Sequence, residues 1–210
     1  MKYGPTFQKE CPSCQGKFRE WSLVSFNFLD ADFWTDGKVI GSMYRESPRL
    51  VRCPHCNGFI WPKDLKELDK SLEFGIDPKW VNTKNPIELK TLADWLLVLE
   101  QKPFDSKKKE KYARIRAWWC ANDPFREDDT PSIETFSEAM RNNLGSLFDL
   151  LSEKNDEERL MKAEIARETG SFQEAERLLK TPFMEEMENA SDYIAELVRL
   201  RSTKVSRIPD

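Results

Sequence analysis

The sequence predicts an α+β protein in two parts, a β-rich domain over residues 1–82 and an all-α helical bundle over residues 83–210. Turn residues, aromatics and alternating apolar side chains are concentrated before residue 82, whereas long segments with helical periodicity and few glycines follow it. Two nearly identical octapeptides, CPSCQGKF at Cys11–Phe18 and CPHCNGFI at Cys53–Ile60, stand in the first part. Their cysteine pairs are separated by 38 residues.

Composition and charge limit the classes to which the chain can belong. The 210 residues include 39% hydrophobic side chains, enough for a sizeable core. No apolar run approaches the ~20 residues of a membrane span, and the start MKYGPTFQKE lacks the apolar region of a secretory signal, so we expect a cytoplasmic protein with no membrane partner. The first part has 12 Lys and Arg against 11 Asp and Glu, and the second has 21 against 26. Neither part has the positive excess typical of nucleic-acid-binding proteins.

In the first part, the pattern predicts short strands joined by turns. Val24, Phe26 and Phe28 alternate with polar residues, as in a strand. The pair Asp36-Gly37 lies between apolar runs, which indicates a hairpin because glycine accepts positive φ. The other predicted elements here are a strand at Leu50–Val51, a short helix over Pro62–Leu72 and a linker over Phe74–Pro86.

The second part has the apolar spacing of helices. Asn85 can cap the first helix, Pro86 suits its first turn and Glu88 can reach back to the cap, so a helix to about Glu100 is predicted. The remaining predicted helices run from about Lys107 to Cys120, from Thr130-Pro131 onward, on both sides of the turn Glu168–Phe172, and from about Met184 to Arg201, before a frayed tail from Ser202.

The repeated octapeptide predicts a metal site. Two C-x₂-C pairs supply four thiolates, the ligand set of a structural zinc ion. A proline after the first cysteine of each pair favours a tight turn, and a glycine two residues after the second allows the chain to leave it. The predicted ligands of one zinc ion are Cys11, Cys14, Cys53 and Cys56.

These cysteine turns resemble those of zinc ribbons and rubredoxin-like knuckles over about residues 9–62. The resemblance implies two turns on short β-hairpins around one metal ion. Such knuckles often have glycine directly after the second cysteine, whereas here Gln15 and Asn57 stand there and Gly16 and Gly58 follow. Iron is the alternative metal and would imply rubredoxin-like electron transfer. Zinc is favoured because nothing else in the sequence suggests redox chemistry.

His55 and Cys120 have less specific signals than the four paired cysteines. His55, the one histidine of the chain, lies inside the second knuckle, where its ring is either an alternative ligand or, as we expect, a solvent-facing group. Cys120 follows Trp118 and Trp119 on a predicted helix, which favours a buried and inert thiol over a reactive one.

The segment Arg159–Lys180 resembles a helix–turn–helix unit of the tetratricopeptide type. The matching residues are Ala163, Ala166, Gly170, Phe172, Ala175 and Leu179. The resemblance implies a packing and protein-interaction element. An ordinary α-hairpin in a small bundle is the alternative, because a stable solenoid needs at least three units and one copy is found. The combination with the cysteine knuckles is similar to bacterial proteins of unassigned role that join a zinc ribbon to a helical interaction region.

A basic run, SKKKEKYARIR at Ser106–Arg116, begins a predicted helix, where cations oppose the helix dipole. It is either a solvated face or a surface for an anionic partner. The basic residues that would make such contacts are Lys107, Lys108, Lys109, Lys111, Arg114 and Arg116.

The sequence offers no catalytic motif, so we do not expect an enzyme. Phosphate-binding glycine loops, nucleophile elbows and metalloprotease motifs are missing from it. The leading hypothesis is a non-catalytic, zinc-binding adaptor that binds a protein partner. A nucleic-acid-binding accessory factor is the first alternative and would use the basic run together with Arg45, Arg49 and Arg52. An electron carrier is the second, if iron is bound.

Overall fold

A computed structural model gives the architecture of the chain, and it describes residues 2–25, 27–44, 46–71, 80, 82–126 and 136–209. The chain forms two compact units. The N-terminal unit comprises Met1–Ala31 and Gly41–Lys90, and the helical unit comprises Asp32–Ile40 and Thr91–Asp210. The α+β class is confirmed. These units differ from a division at residue 82, because residues 32–40 belong to the helical unit and residues 83–90 to the N-terminal one.

The described strands are antiparallel within their sheets, and two of them have nine residues while the other six have two or three. They are β1 (Lys2–Glu10), β2 (Lys17–Ser25), β3 (Asp32–Phe33), β4 (Val39–Ile40), β5 (Val51–Arg52), β6 (Phe59–Ile60), β7 (Asp69–Ser71) and β8 (Ile87–Glu88). The N-terminal unit holds one sheet in the order β2-β1-β7 and another in the order β6-β5-β8. The predicted alternation ends at Ser25: Phe26 lies outside the described residues, and Phe28 is exposed and stacks on Tyr44 at 5.2 Å between ring centroids.

Two predicted helical segments of the N-terminal unit are wrong. Pro62–Asp64 forms a single 3₁₀ turn, and Asp69–Ser71 then pairs with β1 instead of continuing a helix. Ile87 and Glu88 pair with β5, so the next helix begins only at Leu92. In both places pairing with a distant strand overrides a local helical signal. Residues 74–79 and 81 of the predicted linker lie outside the described residues.

The helical unit contains six described helices. They are α1 (Leu92–Gln101), α2 (Lys107–Asn122), α3 (Glu138–Leu150), α4 (Asp156–Glu168), α5 (Phe172–Leu179) and α6 (Glu188–Arg199). Thr91 caps α1 in a capping box with Asp94, which replaces the cap predicted at Asn85. The predicted start at Thr130-Pro131 lies outside the described residues.

The α4–α5 pair is a tight helical hairpin. Gly170 has φ 77° at the turn, and the Ser171 N–H donates to the Ala166 carbonyl at 2.7 Å, which ends α4. Ala163 and Ala175 are fully buried, so small residues let the helices pack closely. The helix–turn–helix predicted for Arg159–Lys180 is therefore present in the structure. Its membership of a tetratricopeptide family stays a prediction.

The Asp36-Gly37 hairpin is confirmed, and it lies in the helical unit. Gly37 has φ 78°, and β3 pairs with β4 around it. The predicted fraying of the C-terminal tail is wrong, because the tail extends this hairpin. The Thr35 N–H donates to the Ser206 carbonyl at 2.9 Å, and Val205 is fully buried.

A cluster of buried charges holds the hairpin on the helices of its unit. The Asp36 carboxylate is fully buried and accepts two bonds from the Arg126 guanidinium, at 2.8 and 3.3 Å. Asn122 donates to both Asp36 and Glu168. Trp118 Nε1 donates to Glu168 at 2.8 Å. All five side chains are less than a tenth exposed, so this cluster has a structural role.

Candidate metal centre

Each cysteine pair forms the turn of an antiparallel hairpin. The first joins β1 to β2, and the second joins β5 to β6. The Cys11 N–H donates to the Gly16 carbonyl at 3.0 Å, and the Cys53 N–H donates to the Gly58 carbonyl at 2.8 Å. The repeated octapeptides therefore build two copies of one backbone structure.

The four cysteine sulfurs converge on one point. Cys11 Sγ lies 3.8 Å from Cys56 Sγ, and Cys14 Sγ lies 3.7 Å from Cys53 Sγ. All four sulfurs are within 4.8 Å of one another. A tetrahedral ion with metal–sulfur bonds of about 2.3 Å requires sulfur–sulfur distances of about 3.8 Å. The donor set and its spacing therefore fit one tetrahedral metal ion, and iron would use the same four thiolates.

The electrostatics of the four thiols also favour a cation between them. Burial raises the pKa of Cys11, but the backbone N–H groups of Cys14 and Ser13 donate to its sulfur and lower that pKa to about 7. The Gly16 N–H acts to lower the pKa of Cys14, but desolvation and the neighbouring sulfurs outweigh it and raise that pKa to about 12. Cys11 and Cys14 therefore do not ionise together readily, and a metal ion between their sulfurs would balance the charge of two thiolates.

One cysteine of each pair is buried and the other is exposed. Cys11 and Cys53 are fully buried in a small apolar cluster, while Cys14 and Cys56 face solvent. The other members of this cluster are Phe18, Val51, Ile60 and, partly buried, Leu65. This core is small, so the metal would supply much of the stability of the region around it.

His55 connects the two knuckles. Its side chain is exposed, as expected, and it is not part of the sulfur cluster. Its Nε2 lies 2.9 Å from the Lys17 carbonyl oxygen of the first knuckle. A Cβ atom added to Gly16 would come within 2.5 Å of the His55 ring. Gly16 therefore allows the ring to pack against the first knuckle, a role that the sequence did not reveal.

The left-handed positions of the knuckles are Gln15 and Asn57, with φ of 59° and 62°. The glycines that follow them do not have positive φ. The displaced glycine noted in the sequence therefore leaves a non-glycine residue at the strained position of each turn.

The six basic residues of the run all lie on α2 but have different surroundings. Lys107 and Lys108 are exposed in the first turn of α2. Lys109 pairs with a carboxylate oxygen of Asp105 at 2.8 Å. The remaining three basic residues have partners in the helical unit: Lys111 pairs with Glu158, Arg114 with Glu110, and Arg116 lies over the rings of Trp95, Tyr112 and Trp119. Intramolecular partners thus take up much of the charge predicted to face an anionic ligand.

The other described basic residues singled out in the sequence have contacts within the chain, and Cys120 has surroundings that make its thiol unreactive. Arg49 lies 3.7 Å from Glu46, and Arg52 lies over the Phe59 ring, while Arg45 is outside the described residues. Burial and then the nearby Asp123 raise the pKa of Cys120, so this thiol stays protonated and is a poor nucleophile.

Comparisons with known proteins add no family to these observations. The chain matches no protein-family model, and searches of curated proteins and of solved structures gave no significant match. Among the described helices, none is both long enough and apolar enough to cross a membrane.

Proposed function

We propose that the protein is a non-catalytic, zinc-stabilised adaptor that binds a protein partner. The observation that carries this proposal is the cluster of four sulfurs within 4.8 Å of one another. Four cysteine ligands complete a tetrahedral site, whereas catalytic zinc keeps a position open for water or substrate. A closed site of this kind stabilises a fold and does not activate a substrate.

Exposed apolar side chains support a protein partner. In the N-terminal unit, Leu29 is 92% exposed and stands beside the exposed Phe28. Adjacent apolar side chains at a surface are a common feature of protein-binding sites, whereas Leu200 and Met184 of the helical unit, near opposite ends of α6, are exposed singly.

The first test is the metal content of untagged, natively purified protein. We expect one zinc ion per chain and a colourless solution. One iron ion with thiolate charge-transfer bands would instead support an electron carrier. Protein without any metal would overturn the assignment of the site.

The second test is native purification after mild cross-linking in the source cells. We expect a stoichiometric protein partner in repeated preparations. Recovery of none would overturn the adaptor role. Nucleic acid that binds instead, with affinity that falls steeply as salt is raised, would support the accessory-factor alternative.

A further inference from the structure

A cavity of about 460 Å³ lies within the N-terminal unit. Its volume is in the range of about 300–1,000 Å³ typical of ligand-binding pockets. Val51 and Pro62, both buried, contribute apolar surface, and Trp21, Pro48 and Ile87 add to it. The cavity therefore offers an apolar site that is already formed in the folded chain.

Two sheet edges meet at this cavity. Among the described strands, β2 is the end strand of one sheet and β8 is the end strand of the other, and Glu20 and Ile87 of these strands line the cavity. Beside the cavity, the Arg19 N–H of β2 donates to the carbonyl of Lys84, three residues before β8, at 3.0 Å. Pro86, two residues after Lys84, has no N–H to donate to a neighbouring strand. Glu20 and Trp21 of β2 and Ile87 and Glu88 of β8 border the cavity just beyond this hydrogen bond.

The charges around the cavity are nearly balanced. Glu20 pairs at 2.7 Å with Lys9, which also donates to the Pro62 carbonyl. Glu88 and Lys90, also in the lining, have opposite charges and lie 3.9 Å apart. This balance does not favour a phosphate or another strongly charged ligand. It fits a neutral ligand with both apolar and hydrogen-bonding groups.

We propose that this cavity binds an extended, uncharged peptide segment of a protein partner. The peptide adds as a strand along β2 and β8 and places an apolar side chain against Val51 and Pro62. Sheet edges are templates for such strand addition, in which backbone hydrogen bonds give affinity and a side-chain pocket gives specificity. The inference rests on the proposed adaptor function and identifies the kind of segment that the adaptor would recognise.

The metal centre would hold this binding site in place. Val51 belongs to the same buried cluster as Cys11 and Cys53. Pro62 follows strand β6, which leaves the second knuckle. The sulfur cluster and the cavity therefore share the buried residue Val51. A bound metal would support recognition by stabilising this unit, without taking part in a reaction.

The test uses the metal-loaded full chain and a phage library that displays random 12-residue peptides. The peptide with the highest enrichment is synthesised and titrated into ¹⁵N-labelled protein. We expect shifts in the amide signals of Glu20, Trp21, Ile87 and Glu88, and slower amide exchange there. Methylation of a central peptide nitrogen should weaken binding at least tenfold, because strand addition needs that N–H.

Variants locate the site. Ile87→Asp and Ser47→Arg, on different parts of the lining, should each weaken binding at least tenfold. The matched control is Leu68→Asp, an exposed leucine of the same unit outside the cavity lining. The cobalt-loaded absorption spectrum verifies that each variant keeps the metal site.

Several results would overturn the inference. They are a library without enriched peptides, shifts confined to other residues, insensitivity to both cavity variants, or a cavity that binds neutral small molecules from a fragment set but no peptide. None of them affects the adaptor proposal, since a native partner could then still be recovered through another surface.

Discussion

Gly16 and Gly58 hold equivalent positions in the two knuckles but have different surroundings. A Cβ atom at Gly16 would lie 2.5 Å from the His55 ring, whereas one at Gly58 would meet the nearest atom, Cys56 Sγ, at an ordinary 3.5 Å. We therefore expect Gly16→Ala to lower the free energy of unfolding by about 1–3 kcal/mol, the usual cost of overpacking. Gly58→Ala should have a much smaller effect.

Chemical denaturation of the zinc-loaded protein measures this difference. Adding His55→Ala to Gly16→Ala should recover much of the loss, because the clash disappears with the ring. If the two alanine variants are equally stable, or the double variant recovers nothing, the role assigned to His55 is wrong.

Gln15 is strained because it has φ 59° without being glycine. We expect Gln15→Gly to preserve or slightly raise stability, since the left-handed conformation costs an ordinary residue about 1–2 kcal/mol. Gln15→Val should lower stability by at least a similar amount, because a β-branched residue fits this region worst. The melting temperatures of the zinc-loaded variants rank their stabilities. A valine variant as stable as the glycine variant would contradict the strain.

At the scale of elements, one buried ion pair helps to hold the β3–β4 hairpin. Asp36→Ala leaves the Arg126 guanidinium without its two-bond partner in a site where both side chains are almost fully buried. We expect a loss of about 3–5 kcal/mol in the free energy of unfolding. Lys38→Ala, which breaks the more exposed pair with Asp123 in the same unit, should cost less than about 1 kcal/mol.

Urea denaturation of the metal-loaded variants compares these costs. A double variant, Asp36→Leu with Arg126→Met, should be more stable than Asp36→Ala, because no charge is then left without its partner. Equal losses in the Asp36 and Lys38 variants would show that the buried pair does not hold the hairpin.

Elements that depend on residues close together in the sequence were predictable, whereas elements that depend on contacts with distant residues were not. The Asp36-Gly37 turn and the two cysteine turns follow from spacing within a few residues, and both were predicted. Strand β7 exists because it pairs with β1, more than sixty residues earlier in the chain. The tail after Ser202 is ordered because it pairs next to Thr35. The contact between His55 and Gly16 likewise depends on how two separate knuckles meet.

At the scale of the whole molecule, the buried Glu168 makes stability depend on pH. Desolvation, followed by the charges of Glu164 and Asp36, raises its pKa well above the ordinary value, although Arg167 and Trp118 act to lower it. Above the unfolded value of about 4.3, the folded chain therefore binds more protons than the unfolded one. It follows that the free energy of unfolding contributed by this group falls as pH rises.

Glu168→Gln should make this dependence less steep, because the amide does not titrate. The measurement is urea denaturation at several pH values from 5 to 8, with the slope of the variant compared with that of the unaltered protein. Glu138→Gln, at the exposed start of α3, is the control and should leave the slope unchanged. Equal slopes in the Glu168 variant and the unaltered protein would contradict the raised pKa.

The two units should also differ in their response to loss of the metal. All four clustered sulfurs belong to the N-terminal unit, while the helical unit has its own core around Leu160, Ile194 and Val198. Structural zinc contributes about 10–16 kcal/mol to the folding of zinc-finger peptides. Chelation, or Cys53→Ser, should therefore unfold residues 1–31 and 41–90 and leave the helical unit folded. Cys120→Ser, outside the metal site, should retain metal and both units. Amide NMR spectra of the full chain distinguish the outcomes: dispersion kept throughout after complete metal removal, or lost throughout, would contradict two units of separate stability.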